Sequence, residues 1–476
     1  MKKVFLTTGI FCAISMCAFS QNNTTTKLTL QQCLEIGIAN NLDVLQSDLQ
    51  AQTAEVNWKQ AKLNLLPDLN GVANHGINQG RSIDPFTNAF INESVKYASY
   101  GLSSGVTLFN GLSLQNIIKQ NKLTYEASKM TFQQRKDNLT IGVILAYLQV
   151  LNNEDVLTQL TNQLDLTKKQ VERLEILNKD GAIPPSQLFD LKGQYANDQI
   201  SIINGKNALE LAKLSLFELM NAPYDKNITL ERLDIASMAV RYEDTPDKIY
   251  QTALEKFALV KAVDYSRQSS EKAVKVAKGG LYPVLNLGAN VNTNYSNAAT
   301  NQTFLNTSDV VSNDYVIVNG NQTPVIKRIS NFQSEKISYG DQLNNNRFSQ
   351  VNLNLRIPIF NSWQQRNRIK LAKIDLKNSV LIEKSTRTEL QRSIEQAYIN
   401  LTTAAERFRA LQEQVDAYTE SFRAAEILFN SGVGNSIDYL AVKNNYDRAN
   451  INLITTKYDY ILRTKILDFY KGEQLW

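Results

Sequence analysis

The sequence predicts a mixed α and β membrane protein built from one duplicated helix-strand-strand-helix-helix unit. Three observations predict it: short stretches with a two-residue apolar period, helical seams far longer than a compact domain uses, and a register that pairs the two halves of the 476-residue chain.

The clearest strand lies within QVNLNLRIPIFNSW, residues 350–363. Val351, Leu353, Leu355, Ile357 and Ile359 fall on one side of an extended chain, and Gln350, Asn352, Asn354, Arg356 and Pro358 on the other, because strand side chains alternate faces. A run of about ten residues with one greasy and one polar face suits a strand that crosses a bilayer with lipid outside and water inside. Tyr100, Leu102, Ser104, Val106 and Leu108 alternate in the same way with Gly101, Ser103, Gly105 and Thr107. Leu285, Leu287, Ala289 and Val291 likewise oppose Asn286, Gly288, Asn290 and Asn292.

The helical signal is longer still. Leu390, Ile394, Ala397, Leu401, Ala404, Phe408, Leu411, Val415, Tyr418, Phe422, Ala425 and Phe429 recur at alternating steps of four and three, a sustained heptad seam. A helix from about Trp363 to Asn430 would be about 100 Å long at 1.5 Å per residue. The returning helix carries two neighbouring stripes, one through Tyr439, Val442 and Tyr446, the other through Ile437, Leu440 and Ile451. Two stripes call for two helical neighbours.

The halves match in register. Leu65-Leu66-Pro67-Asp68-Leu69-Asn70 pairs with Leu281-Tyr282-Pro283-Val284-Leu285-Asn286, a shift of 216 positions. Leu108-Phe109-Asn110 pairs with Ile359-Phe360-Asn361 at a shift of 251, which also pairs Gly181 with Gly432 and Tyr195 with Tyr446. Such register marks an internal duplication, and the change of shift places an insertion between the two strands of the second copy. The first repeat is expected over 21–240, with strands near 68–77 and 100–109 and long helices near 111–180 and 186–220. The second covers 241–476, with strands near 284–293 and 349–360 and helices near 362–430 and 436–470. A single opening helix is expected over 29–65, ended by Pro67, whose ring and missing N–H stop the helical ladder. Polar loops are expected near 78–96 and 295–347.

Residues 1–20 read as an export signal: Lys2 and Lys3, an apolar run, then Ala18-Phe19-Ser20 as a small-x-small cleavage site. Of the three cysteines, Cys12 and Cys17 leave with it, so Cys33 can form no intramolecular disulfide and reads as a buried thiol. Basic and acidic side chains nearly balance, 51 against 46, which gives no support for nucleic-acid binding. The sole histidine, His75, has no partner for a metal site, and neither a phosphate-binding glycine loop nor an HExxH pair is present. No catalytic residue, cofactor or metal is therefore expected.

The duplicated unit, the Pro67 and Pro283 strand entries, the Arg356-Ile357-Pro358-Ile359-Phe360 exit and the Gly432 to Leu440 turn together resemble the TolC-like outer membrane efflux proteins over the whole mature chain. The resemblance implies a homotrimer in which each chain gives four strands to one 12-stranded outer-membrane β-barrel, continued by a periplasmic α-helical barrel of coiled coils. Open strand edges that lipid cannot satisfy argue for the same closure. The resemblance also implies an acidic constriction at the periplasmic tip. Asp438 takes the first of its positions, Ala441 stands at the second, and Asp190, at the first-copy equivalent of Ala441, is the candidate to substitute. Gly181 and Gly432 match the hairpin-tip glycines that meet a periplasmic adaptor, although Pro184-Pro185 departs from Asn435-Ser436 in the other copy. Pro67, Pro283 and Pro358 mark the strand-helix junctions. The implied function is a passive exit duct of a tripartite efflux or type I secretion system, fed by an inner-membrane pump or ABC exporter. Its other partner is outer-membrane lipid. The rival is a periplasmic coiled-coil scaffold with no pore; an envelope hydrolase lacks a nucleophile constellation.

Overall fold

The computed structural model describes residues 27–83, 88, 90–92, 94–233 and 244–473; the expected signal segment over 1–20 lies outside them. The chain forms two compact units, one of residues up to 48, 132–258 and 387–476, the other of residues 49–131 and 259–386.

The first unit is helical. It holds α1 (Leu30–Asn40), α4 (Pro185–Met220), α5 (Pro246–Lys256), α9 (Ser436–Lys471) and the later parts of α3 (Ser113–Lys179) and α8 (Gln364–Asn430). Its core gathers Leu30, Cys33, Val143, Ile144, Tyr147, Leu151, Leu216, Met220, Tyr458 and Ile461. The short β1 (Lys27–Leu28) pairs in parallel with β6 (Thr229–Leu230). Beside them the buried Tyr147 hydroxyl donates to the Glu231 carbonyl at 2.7 Å. Cys33 is a free, fully buried thiol whose pKa burial pushes up to about 12, so it stays protonated and unreactive at neutral pH.

The opening helix is not continuous over 29–65. It is α1 followed by α2 (Leu42–Leu63), broken at Asn41, where the backbone turns extended. Asn41 makes the break cheap: its side-chain oxygen accepts the N–H groups of Asp43 and Val44, and its amide donates to the Leu219 carbonyl. It thus satisfies donors that α2 would otherwise leave orphaned. The duplicate breaks at the equivalent residue, Phe257, between α5 and α6 (Ala258–Gly279). There the device is burial: Phe257 packs edge-on against Phe469, with ring centroids 5.3 Å apart.

The second unit holds a four-stranded antiparallel sheet of β2 (Asn70–Asn78), β5 (Val95–Phe109), β7 (Val284–Ser296) and β10 (Phe348–Arg356), in the order β10-β7-β5-β2. β5 begins five residues earlier than the 100–109 expected, because Val95 to Ser99 complete the pairing with β2. β10 stops at Arg356 rather than 360. Proline at 358 has no N–H to give the ladder, so regular pairing ends before it.

The loop expected near 295–347 is instead mostly structured. β8 (Thr300–Val318) and β9 (Asn321–Lys336) form a long hairpin, followed by α7 (Tyr339–Asn345). Its turn is Asn319-Gly320, both with positive φ, 53° and 83°, the tight reversal that matches strand twist. Polar composition masked the segment's Thr, Val, Ile and Tyr, which suit pleated backbone. In the shorter loop, β3 (Arg81–Ile83) pairs with β4 (Phe90–Asn92), and residues 84–87, 89 and 93 lie outside the described residues.

Candidate functional site: an amphipathic sheet and two hairpin tips

Cross-strand register sets the chemistry of the sheet. Val351 stands opposite Ala289 and Leu353 opposite Leu287, while Val106 and Leu102 of β5 face Leu287 and Val291. These residues share one face, which is therefore apolar across three strands. On the other face Asn352 opposes Gly288, Asn354 opposes Asn286, and Gly101 opposes Asn292. The Thr107 hydroxyl donates to Asn286 Oδ1 at 2.9 Å. Asparagines lie flat across this face because glycine leaves room: a Cβ on Gly288 would meet Asn352 Oδ1 at 2.8 Å, and one on Gly101 would meet Asn292 Oδ1 at 2.6 Å. The apolar face is uncovered, with Val351 75% and Leu353 64% exposed. Within the four-stranded sheet the outer edges of β10 and β2 are unpaired. His75 sits on β2 opposite Ala98.

Pro67 follows α2 and precedes β2, Pro283 immediately precedes β7, and Pro358 follows β10. At the two strand exits the duplication reaches the backbone. Gly111 and Leu112 (φ 66° and 61°) match Ser362 and Trp363 (φ 52° and 63°), a left-handed pair that turns each strand into its long helix.

In the helical unit, α3 turns into α4 and α8 into α9 at Gly181 (φ 71°) and Gly432 (φ 79°). The Ala182 N–H donates to the Leu177 carbonyl at 2.8 Å, and the Val433 N–H to the Leu428 carbonyl at 3.1 Å. Both ends use the same left-handed closure, which glycine adopts without a Cβ penalty. A Cβ on either glycine would meet nothing within 4 Å, so both turns are open.

Asp438 is exposed in the first turn of α9; its N–H donates to Asn435 Oδ1 at 2.8 Å, and Asn435 Nδ2 donates back to Asp438 Oδ2 at 2.7 Å. The carboxylate suits the positive end of the helix. Asp190, exposed on α4, accepts from the Ser436 hydroxyl at 2.9 Å. The Asp190 carboxylate is thus tied to the foot of the helix that carries Asp438.

Two further features were not foreseen from sequence. Arg173 of α3 donates to both the side chain and the backbone carbonyl of Asn430, at the end of α8. Deeper in, Lys443 of α9 is 0% exposed and lies 2.6 Å from Asp447 and 3.5 Å from Asp198 of α4. Asp198 also accepts from the Thr167 hydroxyl of α3 at 2.6 Å and from Gln194 Nε2 at 2.7 Å. One buried cation thereby joins three helices. Burial raises the Asp447 pKa, and the Lys443 ammonium opposes the rise. On the same helix as Lys443, Tyr439 stacks on Phe429 at 4.4 Å and Tyr446 on Phe422 at 5.0 Å. The Lys443–Asp447 spacing of four was readable in the sequence; Asp198, 245 positions away, was not.

An uncovered amphipathic sheet with a water-compatible face, in a chain that also carries paired long helical hairpins, defines a membrane conduit class of protein. The outer membrane efflux protein family matches residues 34–222 and 249–472, and the chain belongs to it. It is accordingly a bacterial outer-membrane efflux channel with a periplasmic extension, in a family of transport proteins. The outer membrane protein TolC of Vibrio cholerae serotype O1 is 21% identical over 401 residues, 84% of this chain and 80% of its own length. Crystal structures of CusC, which concern its folding and transmembrane channel formation, share the fold with a TM-score of 0.75 at 14% identity, over 94% of this chain and 92% of that one. The Campylobacter jejuni CmeC outer membrane channel gives 0.74 at 14%, over 94% and 86%.

Proposed function

We propose that this channel is the exit duct of a tripartite efflux or type I secretion assembly, working as a homotrimer. The observation that carries the reading is the four-stranded sheet with one apolar face, one Asn/Gly face and two open edges. Unpaired strand edges cannot stand in hydrocarbon, and joining β10 of one copy to β2 of the next satisfies them. Three copies then make one 12-stranded barrel, apolar face to lipid and asparagine face to water.

The tips at Gly181 and Gly432 are the docking points for a periplasmic adaptor, since both are open, glycine-closed turns. Asp438 and Asp190 face the narrow end of the duct, where three copies of each carboxylate favour cations. Conduction is passive, with the driving force supplied by an inner-membrane pump or ABC exporter through the adaptor, and the reading assigns the chain no catalysis. Opening separates the tips, so the Asp190–Ser436 and Arg173–Asn430 ties restrain the closed form.

Single-channel conductance in planar bilayers tests the site. Wild type is expected to give small cation-selective currents, and Asp438→Ala to lose most of that selectivity. A selective wild type unaffected by the substitution moves the constriction to Asp190, and a folded protein that never conducts contradicts the reading.

A further inference from the structure

Where β10 gives way to α8, a cavity of about 170 Å3 opens, lined by Leu281, Pro358, Ile359, Phe360, Trp363 and Arg366 among others. We propose that it is a headgroup site for a phospholipid of the periplasmic leaflet, with the lipid phosphate against Arg366 and an acyl chain along Ile357 and Ile359. The proposal rests on the outer-membrane channel reading above.

Charge chooses the headgroup. Arg366 is the one charged side chain lining the cavity, its guanidinium carbon lies 4.1 Å from the centre of the Trp363 ring, and no carboxylate pairs with it among the described residues. A guanidinium over an indole face still has its N–H groups to offer, and their fork fits two phosphate oxygens at once. Position chooses a lipid over a soluble anion. The cavity lies just past the end of β10, next to the strand whose Val351, Leu353 and Leu355 form the apolar face, and its Ile359 is 94% exposed, so a ligand there meets bilayer on one side. Aromatic and basic residues at a strand end are the usual anchors of the membrane-water boundary.

The duplication supplies an internal control. At the equivalent exit of the first copy, Leu112 and Gln115 occupy the places of Trp363 and Arg366. Both copies make the same left-handed turn, but the first begins it with Gly111, whereas the second uses Ser362 followed by tryptophan. Left-handed backbone disfavours such residues. The first copy makes the same turn with leucine at the second position and glutamine three residues on, so the turn itself calls for neither the indole nor the guanidinium.

The test is native mass spectrometry of the detergent-purified full chain, titrated with phosphatidylglycerol, alongside conductance on the same preparations. The variants Trp363→Leu and Arg366→Gln carry the residues that the first copy already folds with. Wild type is expected to retain the lipid, Arg366→Gln to hold it about tenfold more weakly, as loss of a charge-assisted contact implies, Trp363→Leu to hold it about threefold more weakly through loss of the ring under the guanidinium, and millimolar inorganic phosphate to leave retention unchanged. Equal retention by wild type and both variants overturns the lipid site while a conducting wild type leaves the channel standing. Displacement by inorganic phosphate overturns the lipid assignment in favour of a plain anion site. A wild type that neither inserts nor conducts takes down the channel reading and this site with it.

Discussion

Replacing Lys443 with methionine is expected to destabilise the helical hairpins by about 3–5 kcal/mol, the usual effect of stranding buried charge. Lys443 is wholly buried between Asp447 and Asp198, and methionine fills its volume while leaving both carboxylates without their cation. Amide exchange should show lost protection in α4 and α9, with the sheet strands unaffected. The deficit should shrink as pH falls. Burial already raises the Asp447 pKa and Lys443 opposes that rise, so removing the lysine lifts it further. A carboxyl whose folded pKa exceeds its unfolded value destabilises the fold when ionised, and acid relieves the penalty. Adding Asp198→Asn and Asp447→Asn to the methionine variant should recover most of the loss, since no buried charge remains. A single variant as stable as wild type at neutral pH would mean that the network is hydrated and contributes little.

Leu353→Arg is expected to abolish stable membrane insertion, whereas Asn354→Arg, its neighbour in the same strand, should insert. Leu353 lies mid-strand in β10, on the apolar face beside Leu287, and Asn354 faces the opposite way beside Asn286. Arginine on the lipid side of a barrel near the midplane costs about 2–4 kcal/mol per chain, but on the lumen side it only alters selectivity. Urea-washed outer membranes measure the outcome directly. Equal insertion of both variants would show that the strand does not span, and insertion of Leu353→Arg with failure of Asn354→Arg would show that the faces are the other way round.

The contrast between adjacent residues was legible because strand periodicity is local. Val351, Leu353 and Leu355 announce their shared side over five residues, and the observed register only adds that Leu287 and Val106 join them. Gly181 and Gly432 were equally readable, since a helix that must reverse needs a left-handed residue. What escaped the sequence was non-local or masked. The break at Asn41 is capped locally but anchored to a carbonyl at Leu219, and its twin at Phe257 is packed on the aromatic ring of Phe469, each about two hundred positions away. Asp190 could be named as a candidate acid, but its bond to Ser436 joins two repeats and has no trace in either. The β8–β9 hairpin did leave a signal, the Asn319-Gly320 turn, hidden among polar residues that read as loop. Register between the copies survives divergence because strand pairing and helix length fix it, and for that reason the duplication was more legible than any single contact.

Closure of three sheets into one barrel is the claim on which the lipid face, the water face and the acidic tip all depend. Native mass spectrometry of the protein released from detergent micelles, on a sample shown to conduct, tests it most directly. The account predicts particles of three chains, stable until the sheet unfolds. A conducting species of one chain, or a folded monomer with its β10 and β2 edges protected from exchange, would contradict it.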